Sequence, residues 1–198
     1  METKQGQRRR GEALKADIYA ATLRLVDTEN YEAVTYQAVA KLAKTSRSVI
    51  YRNWPDIFDL IYEALRSRAL ETSHGSVLYS KLDSGSLRGD LFAIMRQMRE
   101  NAAHFPKDFL AVLLFRNSQG LGLTHTFQAA LVADEVVMAR IFKKAAARGE
   151  LRVDISPEAR LLPFQLLRYY MMLEGIELDE TLLTNLIDGI LLPLYLKN

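Results

Sequence analysis

The sequence predicts an all-α protein of about nine helices, and three observations lead to that fold class. Apolar residues recur at helical spacing along most of the chain, as at Leu14, Ile18, Ala21 and Leu25, which step by four, three and four positions. Helix-capping residues, prolines and glycines interrupt this pattern where one helix would end and the next begin. No segment shows the convincing apolar–polar alternation of a half-buried strand.

Four helices are predicted in the N-terminal part of the chain, and the first and fourth are the longer ones. The first covers about 12–29 and ends at Asn30, a residue that tolerates the left-handed backbone found at helix C-termini. The fourth begins at Pro55, which suits the first turn of a helix, and runs to about residue 72. Two short helices are predicted between them.

Each of these short helices, about 35–42 and 46–52, starts at a hydroxyl residue. Thr35 and Ser46 can accept a hydrogen bond from a backbone N–H of the first turn, which stabilises a helix start. The apolar residues expected to face inward are Val39, Leu42, Val49 and Ile50. The pair therefore reads as a helix, a turn of about three residues and a second short helix.

The rest of the chain forms a larger helical module. Residues 72–86 are rich in Ser and Gly and mark the expected boundary. The helices predicted beyond it cover about 87–105, 107–118, 123–148, 156–174 and 179–196. Gly149 and Gly175 are expected to end the third and fourth of these.

Composition excludes several classes of function. The 198 residues contain no cysteine, which rules out disulfide scaffolds, thiolate zinc sites and cysteine nucleophiles. No apolar run approaches the roughly 20 residues of a membrane span, and the polar N-terminus lacks the apolar core of a secretory signal. We therefore expect a cytoplasmic protein with no membrane partner, no metal and no cofactor.

The paired short helices supply the chemistry for binding duplex DNA. Residues 1–54 carry a net charge of +4 and the remainder −2, which favours an anionic partner at the N-terminal end. In a helix-turn-helix the second helix enters the major groove, and its start needs small, donor-rich residues with apolar anchors behind them. Arg47, Ser48, Tyr51 and Arg52 meet that need as contacts to bases or phosphates.

The free N–H groups at the starts of both short helices can also hold phosphates. The candidate DNA-binding residues are Arg10, Thr35, Tyr36, Lys44, Thr45, Ser46, Arg47, Ser48, Tyr51, Arg52, Asn53 and Trp54. A basic helix taken alone is more often a surface corner with solvated charges, and it is the complete helix-turn-helix that favours DNA. The arginines at 8–10 either lie along the minor groove or the phosphates, or form a disordered, solubilising arm.

Residues 12–62 resemble the DNA-binding domain of TetR-family transcriptional repressors. The resemblance covers the first helix and the stretch NYEAVTYQAVAKLAKTSRSVIYRNWPDIFDLI, in which YRNW at 51–54 matches the family's Y-x-x-F/W signature. It is looser over the C-terminal stretch GELRVDISPEARLLPFQLLRYYMMLEGIELDE. It implies a basic arm with a helix-turn-helix domain (1–54), a connecting helix 4 (55–74) and a ligand-binding and dimerisation domain (75–198).

The resemblance also implies a function. The family's members bind a near-palindromic DNA operator as homodimers, usually as repressors, and a small-molecule effector releases them. Three positions depart from the family's pattern: Lys44 and Asn30 stand where Gly is usual, and Thr45 stands where Val is usual. The turn at Lys44 is therefore either strained or differently shaped, and its side chain can add a phosphate contact.

Methionine and aromatic residues crowd the larger module, where they can line an adaptable apolar pocket. Any one of them is more often a core residue, so the pocket rests mainly on the resemblance. The candidate pocket residues are Met95, Met98, Phe109, Phe115, Phe127, Met138, Tyr169 and Met172.

Two C-terminal stretches, LLPFQLLRYYMML and LLTNLIDGILLPLYL, are apolar around most of the helix and are therefore buried or in contact with a partner. The family's dimer packs its last two long helices into a four-helix bundle. The candidate interface residues are Leu166, Tyr170, Leu183, Leu186, Ile187, Ile190 and Leu194. Pro163 and Pro193 are expected to kink or end these helices locally.

Two other classes of function stay open. An enzyme is disfavoured because the three histidines are scattered and no Ser-His-acid or paired-carboxylate arrangement stands out. A helical protein-interaction adaptor that has lost operator binding would not depend on Arg47, Tyr51 and Arg52. A salt-dependent affinity for a specific duplex separates the adaptor from the regulator.

Overall fold

The computed structural model describes residues 3–72, 82–121, 125–152, 155–171 and 178–196, with the backbone alone for residues 3–10 and 126. Its helices are α1 (Thr3–Thr28), α2 (Tyr36–Leu42), α3 (Arg47–Asn53), α4 (Ile57–Thr72), α5 (Leu87–Ala102), α6 (Lys107–Ser118), α7 (His125–Ala147), α8 (Pro157–Arg160), α9 (Leu162–Tyr169), α10 (Glu180–Leu186) and α11 (Leu192–Tyr195). Over these ranges, extended pairing is confined to one antiparallel bridge between Leu151 and Leu196. The predicted all-α class is confirmed.

The start of the chain differs from the prediction in two ways. α1 begins at Thr3 rather than near residue 12, so residues 8–10, predicted as an arm ahead of the first helix, belong to that helix. Proline is absent there, and Gln and Arg are good helix formers. Asn30 is not left-handed: its φ of 170° is extended, and its side chain accepts a hydrogen bond from the Ala33 N–H at 3.0 Å. It therefore caps the 3-10 turn Tyr31–Ala33.

The C-terminal helices are more interrupted than predicted, and both interruptions occur beside a proline. The helix predicted over 156–174 is split at Leu161 into α8 and α9, with Pro163 in the first turn of α9. The helix predicted over 179–196 changes to π-helical geometry over Ile187–Leu191, and Pro193 lies just beyond in α11. Proline has no N–H to donate to the preceding turn, so a continuous α-helix is disfavoured at both places.

Two hydrophobic clusters make up the core. The first cluster is formed by α1 to α4 with parts of α6 and α7, and it buries Ile18, Val39, Ile50 and Leu60 almost completely. The second cluster is formed by α5, α7, α9 and the C-terminal helices. α6 lies beyond the predicted module boundary in sequence, yet its Phe109 belongs to the first cluster. The two modules are therefore joined by shared packing and not only by the connecting helix α4.

Candidate nucleic-acid interface and ligand cavity

The turn between α2 and α3 keeps the geometry of a glycine turn although it contains lysine. Lys44 has a φ of 51° and is the one non-glycine residue in the left-handed region among those described. The N–H of Thr45 donates to the Ala40 carbonyl at 3.0 Å, and the N–H of Ala43 donates to the Val39 carbonyl at 2.8 Å. This is a Schellman-type ending with Lys44 at the left-handed position. A lysine there costs about 1–2 kcal/mol in backbone strain.

α3 presents a polar outer surface. Ser46 accepts a hydrogen bond from the Val49 N–H at 3.3 Å, as predicted for a cap. Ile50 is fully buried and holds the helix against the first cluster. Arg47, Ser48, Tyr51, Arg52 and Asn53 are all exposed, as the DNA-binding prediction requires, and lie on one seven-residue helix.

Tyr36 and Tyr51 connect α2 to this outer surface. Their rings meet edge-on with centroids 5.6 Å apart, although Tyr51 itself is 57% exposed. The Tyr36 hydroxyl lies 2.8 Å from the Trp54 carbonyl oxygen and 2.9 Å from that of Pro55. Tyr36 thereby ties the start of α2 to the end of α3, which fixes the angle between the two helices.

Trp54 was predicted among the DNA-binding residues, but its side chain cannot reach DNA because it is only 8% exposed. Its indole N–H donates to the Glu63 carboxylate of α4, which also pairs with the Lys15 ammonium at 3.2 Å. Burial alone would raise the pKa of Glu63, but the hydrogen bonds to it hold that pKa below its ordinary value. Trp54 is therefore an anchor that fastens α3 to α4.

The remaining candidates occupy varied places. Thr35 is exposed and caps α2 by accepting from the Ala38 N–H at 3.1 Å. Lys44 is exposed at the turn, and Thr45 beside it is half-buried. Arg10 lies in α1, where the backbone alone is described, so its side chain is outside the described structure. 

A cavity of about 510 Å³ opens between α4, α5, α6, α7 and α9. Its volume is within the usual range for small-molecule sites. Its walls are mainly apolar, and among the predicted residues Met98 and Phe127 line it.

Most of the other predicted pocket residues lie elsewhere. Met95 and Met138 are 1% exposed in the second cluster, and Phe109 is buried in the first cluster. Phe115 and Tyr169 face solvent, with exposures of 64% and 45%. Met172 falls outside the described residues. The sequence pattern identified apolar helices correctly but could not tell core positions from cavity walls.

The cavity also contains four charged residues that the sequence analysis missed. They are Arg66, Asp134, Arg140 and Arg168. Asp134 and Arg168 form a close ion pair with side chains 17% and 22% exposed. Burial raises the pKa of the Asp134 carboxyl above its usual range, although Arg168 opposes that shift. The available signal was Asp134 itself, a carboxylate in the largely apolar run AALVADEVVM.

α6 links this cavity to the first cluster. Leu110 lines the cavity, while its neighbour Phe109 stacks on Phe58 at 5.8 Å inside the first cluster. Arg116, further along α6, pairs with Asp56 at 2.6 Å and lies over the Phe58 ring at 4.1 Å. Asp56 also accepts the Phe58 N–H at 2.9 Å and so caps α4, which begins at Ile57 rather than at the predicted Pro55.

The predicted dimer residues divide into two groups. Leu183, Leu186 and Ile187 are at most 2% exposed and belong to the protomer's own second cluster, so a partner cannot reach them. Ile190 is 44% exposed, and Leu166, Tyr170 and Leu194 are half-buried. Of the predicted interface residues, only those of this second group are accessible to a partner.

Two other kinds of site are absent from the part of the chain that the structure describes. No group of three or more His, Asp or Glu side chains is placed to hold a metal ion in the part of the chain that the structure describes. Over the same ranges, no helix combines the length and the apolar character needed to cross a membrane.

Comparisons with known proteins agree with this architecture. Residues 18–64 match the model of the bacterial regulatory proteins of the tetR family, and residues 82–190 match that of the tetracyclin repressor-like C-terminal domain. A DNA-binding transcriptional repressor TetR from Mycobacteroides abscessus is 27% identical over 93% of this chain and 95% of its own. An uncharacterized HTH-type transcriptional regulator from Mycobacterium tuberculosis is 26% identical over 90% of this chain and 86% of its own.

A solved structure has the same fold. It is described as a TetR-family transcriptional regulator from Mesorhizobium loti, with a TM-score of 0.55 and 15% identity over 95% of this chain and 99% of its own. Because the matched C-terminal domain alone spans more than half of the chain, the family is established. The chain belongs to the TetR family of DNA-binding transcriptional regulators.

Proposed function

We propose that this protein is a repressor that binds a near-palindromic operator as a homodimer and leaves it when a small molecule occupies the cavity. The observation that carries the proposal is the set of exposed side chains on α3, which Tyr36 and Trp54 hold in place from behind: Arg47, Ser48, Tyr51, Arg52 and Asn53. Two such helices, presented to successive major grooves, fit half-sites about 34 Å apart. The role belongs in the cytoplasm, with the chromosome.

The dimer is proposed to form through the C-terminal helices. Ile190 and Tyr169 are large apolar side chains that remain 44% and 45% exposed on the isolated protomer. Leu166, Tyr170 and Leu194 are half-buried beside the second cluster and can complete an apolar contact. Burying such residues against a second copy would remove apolar surface from water.

Release is proposed to pass through α4 and α6, which both line the cavity. Tyr62 and Leu110 line the cavity and also belong to the first cluster, where Phe58 and Phe109 of the same helices pack. An occupant that moves either helix therefore acts on the packing that supports α3. The spacing of the two recognition helices changes, and the affinities for DNA and for ligand fall reciprocally.

The experiment begins with genomic fragments that the purified protein selects. The double variant Tyr51→Ala, Arg52→Ala should bind a selected duplex roughly 30-fold more weakly or worse in gel shifts, since two contacts are lost. Arg24→Ala, which removes an exposed arginine of α1 outside this surface, should bind like wild type. Unchanged binding by the double variant would reject the site and favour an interaction adaptor. Sedimentation of each protein must show a dimer, and a monomer at micromolar concentration would contradict the proposal.

A further inference from the structure

The cavity is unusual in having a charge imbalance within apolar walls. Among the residues that the structure describes, three guanidinium groups line it, from Arg66, Arg140 and Arg168, and the one lining carboxylate is Asp134. Arg168 is paired with Asp134, and Arg66 lies near enough to favour the charged form of that carboxyl. Glu135, the next residue, is exposed and does not line the cavity.

Two of these arginines have unused hydrogen-bonding capacity. Among the described residues, neither Arg66 nor Arg140 forms an ion pair. Glu63, one turn before Arg66 on α4, is already held by Trp54 and Lys15. A guanidinium group offers five N–H donors and pairs most strongly with carboxylate or phosphate oxygens.

Apolar side chains form most of the remaining cavity wall. Phe105, Phe127, Met98, Leu110 and Val137 line it, and they come from α5, α6, α7 and the segment between α5 and α6. These side chains can cover an apolar body. They cannot satisfy a guanidinium group, which loses free energy if a ligand covers it without supplying an acceptor.

We propose that the effector is an amphipathic anion, with an apolar body against these walls and one carboxylate-like group received by Arg66 and Arg140. The inference rests on the proposed function and narrows it, since it gives the effector a chemical class. A cation would face an excess of positive charge, and a neutral molecule would offer no anionic partner to Arg66, which is half-buried, or to Arg140, which is exposed. Because Arg66 lies on α4, the bound anion would contact the helix that leads back to α3.

The test uses three probes that share a ten-carbon tail and differ in head-group charge. Calorimetric titration of the wild-type protein should show binding of decanoate, at least tenfold weaker binding of 1-decanol, and none of decylammonium. The tenfold figure corresponds to losing one charge-assisted hydrogen bond. 2-Naphthoate, with 2-naphthol as its neutral partner, repeats the comparison for a rigid body.

Equal affinity for acid and alcohol in both series, preference for decylammonium, or no binding of either carboxylate would each overturn the proposal. The double variant Arg66→Gln, Arg140→Gln should lose roughly 100-fold in decanoate affinity and all preference for acid over alcohol. Arg24→Gln, an exposed arginine outside the cavity, should behave as wild type. If the double variant does not fold, the head-group series on the wild type decides alone.

Operator binding is measured separately, so the two proposals can fail separately. If the protein binds decanoate but stays bound to its operator, the proposed ligand class stands and the proposed release by the effector is rejected. If the protein binds no duplex, the proposed regulatory function is rejected, and the calorimetric result on the ligand class still stands. Decanoate that both binds in the cavity and frees the operator supports both.

Discussion

The two hydrophobic clusters are built from helices of different regularity. In the first cluster α2 and α3 each start at a hydroxyl cap, and between them α2 ends in a Schellman-type turn. In the second cluster two predicted helices are broken, at Leu161 and over Ile187–Leu191. Local capping signals therefore determine where the short helices α2 and α3 begin and end, whereas packing and proline determine where the helices of the larger module are interrupted. Three substitutions test the first half of that contrast, namely which contacts and which turn hold the first cluster together.

The largest effect is expected at Phe109, where α6 enters the first cluster. Its ring is fully buried between Phe58 and Tyr31, with centroids 5.8 and 5.4 Å away. Phe109→Ala should lower the free energy of unfolding by about 3–5 kcal/mol, measured by urea denaturation. Phe115→Ala removes a ring that is 64% exposed on the same helix, and should change the free energy of unfolding by less than about 0.5 kcal/mol. Equal effects would mean that α6 does not belong to the first cluster.

A smaller effect is expected at Glu63, which fastens α3 to α4 through Trp54. Glu63→Gln weakens the bonds to the indole and to Lys15 and should cost about 1–2 kcal/mol at neutral pH. Glu71→Gln changes an exposed carboxylate on the same helix and should be nearly neutral.

The Glu63 contribution should also depend on pH. Its folded-state pKa lies below its ordinary value of 4.5, so the contribution is present at neutral pH and is lost as the pH falls through the folded-state pKa. The difference between wild type and Glu63→Gln should therefore shrink below about pH 4.5. A difference that stays constant through the acid range would refute the ion-pair account.

The smallest effect, and one of opposite sign, is expected at Lys44. Lys44→Gly relieves the strain at a φ of 51° and should stabilise the protein by about 1 kcal/mol. Lys41→Gly makes the same change in the last turn of α2 and should destabilise by up to about 1 kcal/mol. Both are measured by urea denaturation. If both variants lose stability, the turn is not strained.

Much of the first cluster could be predicted from the sequence because its signals are local. Thr35 and Ser46 cap helices as expected, and Val39 and Ile50 face inward. Leu42 was placed inward but is 38% exposed, since α2 ends at that residue and the chain turns away. The family resemblance covered the same stretch.

The cavity could not be predicted to the same extent because it depends on contacts between distant segments. Met95 and Met138 have the same residue type and helical context as Met98, yet only Met98 lines the cavity. Arg66 and Arg168 are brought to Asp134 from α4 and α9 by tertiary packing. No periodicity within one helix contains that information.

The position of Trp54 has an optical consequence. It is the one tryptophan of the chain; its indole N–H donates to the Glu63 carboxylate, and its ring centroid lies 6.0 Å from that of Tyr19. Indole emission shifts with the charges and solvent around the ring, and here both depend on how α3 is seated on α4. The protein thus has an intrinsic fluorophore at the C-terminal end of α3. Ligand binding in the cavity that changes how α3 packs on α4 can therefore be followed by Trp54 emission, without any added label.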